Sequence, residues 1–428
     1  MNFKNLRAFA LAPQNFGELN QLRGALNAIS EIASNKDDVD SHFLLPKGVT
    51  SASDIRKDLF YSNFCNYNEF CKEIHDLLDK YFETNKIVPK IFITAYTQAL
   101  NDLAQENVDM LCRSVKEYYE QHNFGSLLTA VLNSRVHEYK YVDLMTIPDH
   151  MLNLKARIEL LQNEKLSKKT LITLGIINNF SIKNVETNLK ELSEKLKNLK
   201  DKPEFFDWIY KFENFVKTSK KVVISLGGRV PGPEIIFDLN YAKKLFSDAD
   251  ILYKNGYGIV FINGSRTPND VTDYIYEQSL RHPGIIFQNC KKIANNDKDR
   301  QPENWRIYSG RNEDVFRQFE QIGNIYPAVI GYENTLVACT ADSFSSCETA
   351  SASIPTAISS KGLFIDPQVR YDCINLQRLM CPEYAIDWDE FVSLACKQKT
   401  EPKNLGLKIL PNPVHNFTET VLKMLNEM

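Results

Sequence analysis

The feature that most constrains this chain is a recurring succession. A short continuous apolar run leads into a polar or glycine-rich turn, then into a stretch with apolar residues three and four apart. Unbroken apolar runs of this length fit strands buried on both faces, and the wider spacing fits amphipathic helices. Strands alternating with helices predict a parallel α/β sheet. Leu6–Leu11 is the first such run; the loop Ala12–Gly17 follows it, then a helix carrying Leu19, Leu22, Leu26 and Ile29 on one face. His42–Leu45, Ile91–Ala95, Leu127–Leu132 and Val142–Ile147 continue the strand series, with helices at Phe70–Phe82 and around 105–121. Residues 51–88, polar and rich in Tyr, Asn and Phe, read as a helical insertion.

The alternation pauses after residue 180. Val185, Leu189, Leu192, Leu196 and Leu199 repeat at four-three-four-three spacing between Lys and Glu residues, which predicts a helix with one buried stripe. The pattern resumes with Val222–Leu226, Gly258–Ile262, Ile285–Gln288, Leu336–Thr340 and Ile354–Ile358 as strands. Helices are expected near 239–253, 270–280 and 344–352 and in the tail 414–428. The domain plan is an amino-terminal α/β domain over 1–180, a helical linker over 181–219, a carboxyl-terminal α/β domain over 220–410 and a closing helix over 411–428.

Composition removes several classes. With 43% hydrophobic and 25% charged residues in 428, the chain is neither disordered nor fibrous. Its 51 basic and 54 acidic side chains leave a net charge of −3, with no basic field to attract nucleic acid. The nine cysteines are odd in number and contain no Cys-x-x-Cys, so a disulfide framework and a zinc ribbon are not expected. A reducing, cytoplasmic setting fits that usage. No apolar run approaches the length of a spanning helix, and the amino terminus lacks a secretory apolar core. Peripheral contact with a membrane stays open.

In open parallel sheets, ligands sit outside the carboxyl ends of the strands, so the turns after strands carry the search. Gly227-Gly228-Arg229-Val230-Pro231-Gly232 is one such turn. Its glycines would let backbone N–H groups approach an anion, and it reads equally as a tight turn. Gly264-Ser265-Arg266-Thr267-Pro268 sets a guanidinium fork and two hydroxyls where a helix opens. That is either a phosphate grip or a helix start with a surface arginine. Thr340-Ala341-Asp342-Ser343-Phe344-Ser345, running on to Glu348, gathers small hydroxyl residues where a strand becomes a helix. Ser343 and Ser345 would serve a pyrophosphate and Glu348 a ribose, or Asp342 or Ser343 caps the helix. In the amino half, Gly17, Asn20 and Gln21 open the first helix. Pro148-Asp149-His150 ends a strand, with Asp149 or His150 a candidate base. Asp248-Ala249-Asp250 imitates a metal-binding pair, but positions two apart on a helix do not share a face. Asp297 and Asp299 read as solvated loop residues.

These segments, in this order, resemble the "elongated mitochondria" family, proteins labelled for mitochondrial fission that look like two-domain GT-B-type glycosyltransferases. Val337-Ala338-Cys339-Thr340-Ala341-Asp342-Ser343-Phe344-Ser345 is similar to the family's strand and TADSxS signature, and Gly264–Pro268 to its SRRTP loop. Gly227-Gly228 is similar to its glycine pair, Gly17-Glu18-Leu19-Asn20-Gln21 to its GxxNQ helix start, Asp143–His150 to its DLVVVPEH segment and Thr173-Leu174-Gly175 to its TLG segment. Ser265 stands where the family has the first of two arginines, and the family's acidic position falls at Thr349, one after Glu348. The resemblance implies two Rossmann-like domains facing a cleft. It implies transfer of a sugar from a nucleotide-diphosphate sugar to a glycan, lipid or protein acceptor, with no metal and no further cofactor. It assigns Gly227, Gly228, Ser265, Arg266, Thr267, Thr340, Asp342, Ser343, Ser345 and Glu348 to the nucleotide. Gly17, Asn20 and Gln21 fall on the acceptor side, with Asp149 or His150 in catalysis. A non-catalytic binding or membrane-remodelling protein on the same fold and a sugar-nucleotide epimerase are the alternative expectations.

Overall fold

The computed structural model describes residues 6–11, 16–33, 38–45, 51, 67–85, 87–95, 103–180, 182–228, 235–264, 266–291, 308–312, 314–315, 320–343, 345–366, 368, 370–398 and 400–428. The chain divides into two compact units, one built from 1–179 with 411–428, the other from 180–410.

The first unit runs β1 (Ala8–Leu11), α1 (Phe16–Ile32), β2 (Phe43–Leu44), α2 (Tyr67–Thr84), β3 (Ile91–Ala95), α3 (Leu103–Gln121), β4 (Leu128–Leu132), β5 (Leu144–Pro148), α4 (Leu154–Gln162), α5 (Glu164–Lys168) and β6 (Thr170–Thr173). Its six strands are all parallel, in the order β2-β1-β3-β4-β5-β6. Alternate side chains leave opposite faces of each strand, so each face needs its own helical cover. Phe9, Phe92, Val131 and Met145 pack with Phe70, Ile74 and Leu78 of α2 and Val115 and Tyr119 of α3. Ala8, Ile91, Ile93, Leu128 and Ala130 pack with Leu19, Leu22, Leu26 and Ile29 of α1. The closing helix Val414–Glu427 joins that second layer through Phe417, Val421 and Leu425, so it belongs to the first unit. β6 was not anticipated from sequence. It is a four-residue edge strand whose first three residues are partly or fully exposed, so it lacks the apolar run of a central strand.

The second unit begins with α6 (Ile182–Leu199) and α7 (Phe206–Lys217). It continues through β7 (Lys220–Leu226), β8 (Ile235–Ile236), α8 (Leu239–Lys254), β9 (Tyr257–Asn263), α9 (Asn269–Arg281), β10 (Ile285–Gln288), β11 (Thr335–Thr340), β12 (Thr356–Ser359), β13 (Phe364–Ile365) and β14 (Ile386–Asp387). The main sheet is parallel and ordered β10-β9-β7-β11-β12-β14. β8 and β13 form a separate antiparallel pair.

The segment 181–219, expected as a linker, is a packed layer of this unit. Val185 and Leu192 of α6 and Trp208, Phe212 and Phe215 of α7 share a core with Val223, Val260, Ile286 and Val337. Burying each such large side chain is favourable by about 1.5–3 kcal/mol; α7 lies against β9 and β10, and α6 against the short helix Tyr326–Val329. On the opposite face Phe246 of α8 stacks on Phe261, with ring centroids 5.7 Å apart. Asp248 of α8 accepts from Trp388 Nε1 at 2.9 Å and pairs with Lys244, whereas Asp250 pairs with Lys254 and His282. The two aspartates therefore serve different neighbours, as their helical spacing requires.

Candidate functional site at the carboxyl edge of the second sheet

Counting only the main-sheet strands of the second unit, β10-β9-β7-β11-β12-β14 is the order 3-2-1-4-5-6. Successive connections run one way from β7 and then reverse, so the switch point lies between β7 and β11. In such sheets the two loops that diverge there leave a crevice at the strand ends. The loop after β7 opens with Gly227-Gly228, and the loop after β11 with Ala341-Asp342-Ser343. Three of the turns singled out by sequence thus meet at one edge, because β9, which feeds the Arg266 turn, pairs directly with β7.

Asp342 organises the cluster. Its side chain has no solvent exposure. One carboxylate oxygen accepts the Gly228 N–H at 2.9 Å, and the other accepts the Thr340 hydroxyl at 2.6 Å. Thr340 Oγ1 in turn accepts the Gly227 N–H at 2.8 Å. Arg266 Nη2 lies 3.1 Å from an Asp342 carboxylate oxygen and donates to the Asp342 carbonyl at 3.1 Å. Thr267 Oγ1 donates to the Gly227 carbonyl at 2.7 Å and accepts the Gly264 N–H at 3.0 Å. A Cβ on Gly228 would overlap the Arg266 carbonyl, and one on Gly227 would overlap Thr340 Oγ1 and the Asp342 carboxylate. The glycine pair is therefore required by the packing of three strand-end loops, and both its N–H groups are engaged within the protein. What the cluster leaves partly exposed is the Arg266 side chain, at 28%, with Ser343 and Ser345. Ser343 Oγ donates to Ser345 Oγ at 2.9 Å and accepts the Ser345 N–H at 3.3 Å, which starts the helix Ser345–Ser351.

Glu348 is 7% exposed and lies beside Tyr326 and Cys339, where its charge adds to burial in raising their pKa values. Ser265 lies outside the described residues, as do 229–234. In the first unit the switch point falls between β1 and β3, and the loops 12–15 and 96–102 that leave it also lie outside the described residues. Gly17 and Asn20 lie in α1, with Asn20 Oδ1 accepting the Asn179 N–H at 3.1 Å; Gln21 follows, half-buried. Asp149 pairs with Arg157 at 2.9 Å in a half-exposed setting. His150 is 2% exposed in the turn that ends β5.

Sequence reading missed several members of the polar edge. Arg370 is buried, forks onto both Asp372 oxygens at 3.0 and 3.2 Å and donates to Cys373 Sγ at 3.1 Å. Burial holds its pKa down, but Asp372, Cys373 and Asp342 outweigh it and raise it. Burial pushes the Cys373 thiol up to about 12, with the charges of Arg370 and Arg266 acting against it. Asn263 and Asn289 bridge β9 to β10, the amide of one donating to the other at 2.8 Å. Lys291 donates into the Arg266 turn. A buried arginine, amide or lysine has no periodicity to betray it, which is why these residues were not legible. Among the described residues, no group of three or more His, Cys, Asp or Glu side chains is arranged to hold a metal ion, and no helix is long and apolar enough to cross a membrane.

Taken by itself, the second unit has the strand order of a Rossmann-type α/β domain. No family model and no curated protein matches the chain. Among solved structures it is similar to UDP-GlcNAc 2-epimerase from Neisseria meningitidis bound to UDP-GlcNAc, with a TM-score of 0.40 and 11% identity over 97% of this chain and 99% of that one.

Proposed function

We propose that the second unit binds the diphosphate of a nucleotide sugar at the β7/β11 switch point, and that the protein transfers the sugar to an acceptor. The observation that carries this reading is the placement of Arg266. It is a partly exposed guanidinium fixed by Asp342 at the point where a 3-2-1-4-5-6 sheet reverses, with the Ser343 and Ser345 hydroxyls on the adjoining strand-end loop. A diphosphate would take charge-assisted hydrogen bonds from Arg266 and hydroxyl bonds from the two serines. The resemblance of the loops to the "elongated mitochondria" signatures supports the same assignment. In the reaction, the bond between the sugar anomeric carbon and the diphosphate oxygen breaks, and its electron pair leaves with the diphosphate. The acceptor oxygen bonds to that carbon and gives its proton to a base. Arg266 offsets the charge that develops on the leaving group.

The test is calorimetric titration with UDP, GDP, ADP, CDP and TDP. One of them is expected to bind selectively, and Arg266→Ala is expected to weaken it by about 10- to 100-fold, the worth of a hydrogen bond to a charged group. No binding by any of the five would overturn the reading. Conversion of the sugar nucleotide with no acceptor present would replace transfer by epimerisation at the same site.

A further inference from the structure

Lys291 is a buried charge that the proposed reaction does not use. It follows β10 with 1% of its surface exposed. Its Nζ donates to the Thr267 carbonyl at 2.8 Å and to Asn269 Oδ1 at 3.0 Å. Both acceptors are neutral, and they bracket Pro268, where the Arg266 turn becomes α9. Thr267 itself bonds the Gly227 carbonyl, and Gly227 bonds Thr340, so Lys291 anchors a chain of contacts that runs across the ends of β10, β9, β7 and β11. The carboxylates that act on Lys291, Asp270 and Asp273 of α9, do so through space. Asp273 is already engaged by the Tyr308 hydroxyl, the Arg311 N–H and the Asn312 amide. The other cation on the turn is Arg266, held by Asp342.

We propose that Lys291 is a positioning residue of the anion subsite and the seat of a linked proton: it braces the turn that presents Arg266, and a diphosphate bound at that turn draws a proton onto Lys291. This rests on reading the turn as a diphosphate site. An ammonium shut off from water, whose hydrogen bonds among the described residues go to neutral acceptors, is poorly solvated, and burial lowers its pKa to about 7 in spite of Asp270 and Asp273. Near neutral pH both protonation states are therefore populated before any ligand arrives. Two negative charges placed nearby raise the proton affinity of such a group by roughly tenfold. By reciprocity, the proton strengthens diphosphate binding by the same factor.

The experiment is calorimetry in buffers of different ionisation enthalpy, which counts protons taken up on binding. UDP-glucose, GDP-mannose, ADP-glucose, CDP-glucose and TDP-glucose are the probes, because their doubly esterified diphosphates do not titrate near neutrality. The protein is expected to take up about half a proton per ligand at about pH 7.5, and close to none at about pH 5.5 or 9.5. Lys291→Met, and Lys291→Arg with a charge that does not titrate, are each expected to abolish the uptake. Lys291→Arg covers the case in which the methionine variant fails to fold. Binding without uptake in the wild-type protein, or uptake unchanged in either variant, overturns the proposal and leaves the diphosphate site standing. Failure of all five sugars to bind overturns the diphosphate site and this proposal with it.

Discussion

Asp342 offers the sharpest perturbation of the switch point. Replacing it with alanine strips the acceptor from the Gly228 N–H and from the Thr340 hydroxyl, bonds of 2.9 and 2.6 Å. A buried donor left without a partner costs about 1–3 kcal/mol. The lost pairing with Arg266 adds little, because that side chain is 28% exposed and water can take over. Removing a fully buried carboxylate also recovers its own desolvation cost, which offsets part of the loss. The expected net destabilisation is about 2–4 kcal/mol for Asp342→Ala. Asp342→Asn keeps one oxygen for the Gly228 N–H and turns an amide toward Thr340, so about half that loss is expected. All three tryptophans, Trp208, Trp305 and Trp388, fall within 180–410, so their fluorescence during urea unfolding reports on the second unit. An alanine variant within about 0.5 kcal/mol of wild type, the range of ordinary surface substitutions, would refute Asp342 as the organiser of the cluster.

Thr340→Val removes the acceptor of the Gly227 N–H and a donor to Asp342 while keeping the shape, and should cost about 1–3 kcal/mol in the same unfolding assay. Gly228→Ala should abolish soluble, folded second unit or lower its urea midpoint severely, since the new methyl overlaps the Arg266 carbonyl; an unchanged midpoint would contradict that packing. Lys291 has a folded pKa of about 7 against 10.5 for its ordinary value, so between those pH values the unfolded chain holds more protons. Stability should therefore rise from about pH 7 toward pH 10 in the wild-type protein relative to Lys291→Met, and parallel urea midpoints in the two would count against the buried lysine. Asp149→Asn breaks a half-exposed pair with Arg157 and should leave thermal stability within about 0.5 kcal/mol; a larger loss on melting would count against a solvent-screened pair.

Much of the fold was legible because buried parallel strands announce themselves. Val222–Leu226 and Leu336–Thr340 are nearly continuous apolar runs, and both appear as central strands within a residue or two of their expected bounds. The strand at Thr170–Thr173 was missed because an edge position demands no such run. The stripe of Val185, Leu192 and Leu199 shows one buried face, but nothing local says what covers it; the partner is the short helix Tyr326–Val329, far along the chain. The candidate site divides in the same way. Turns after strands are local, so Gly227, Arg266, Thr340 and Asp342 could be marked in advance. Their joining was not legible, because strand order alone makes β9 and β11 the two neighbours of β7. Arg370 and Lys291 lie beyond local pattern altogether, since a buried charge is decided by what folds over it.

The most direct measurement is hydrogen–deuterium exchange with and without the nucleoside diphosphate that binds in titration. A diphosphate at the β7/β11 switch point predicts slower exchange in peptides spanning 264–268 and 340–346, and loss of that protection in Arg266→Ala. Protection confined to the first unit, or protection of these peptides that survives Arg266→Ala unchanged, would contradict the placement of the site.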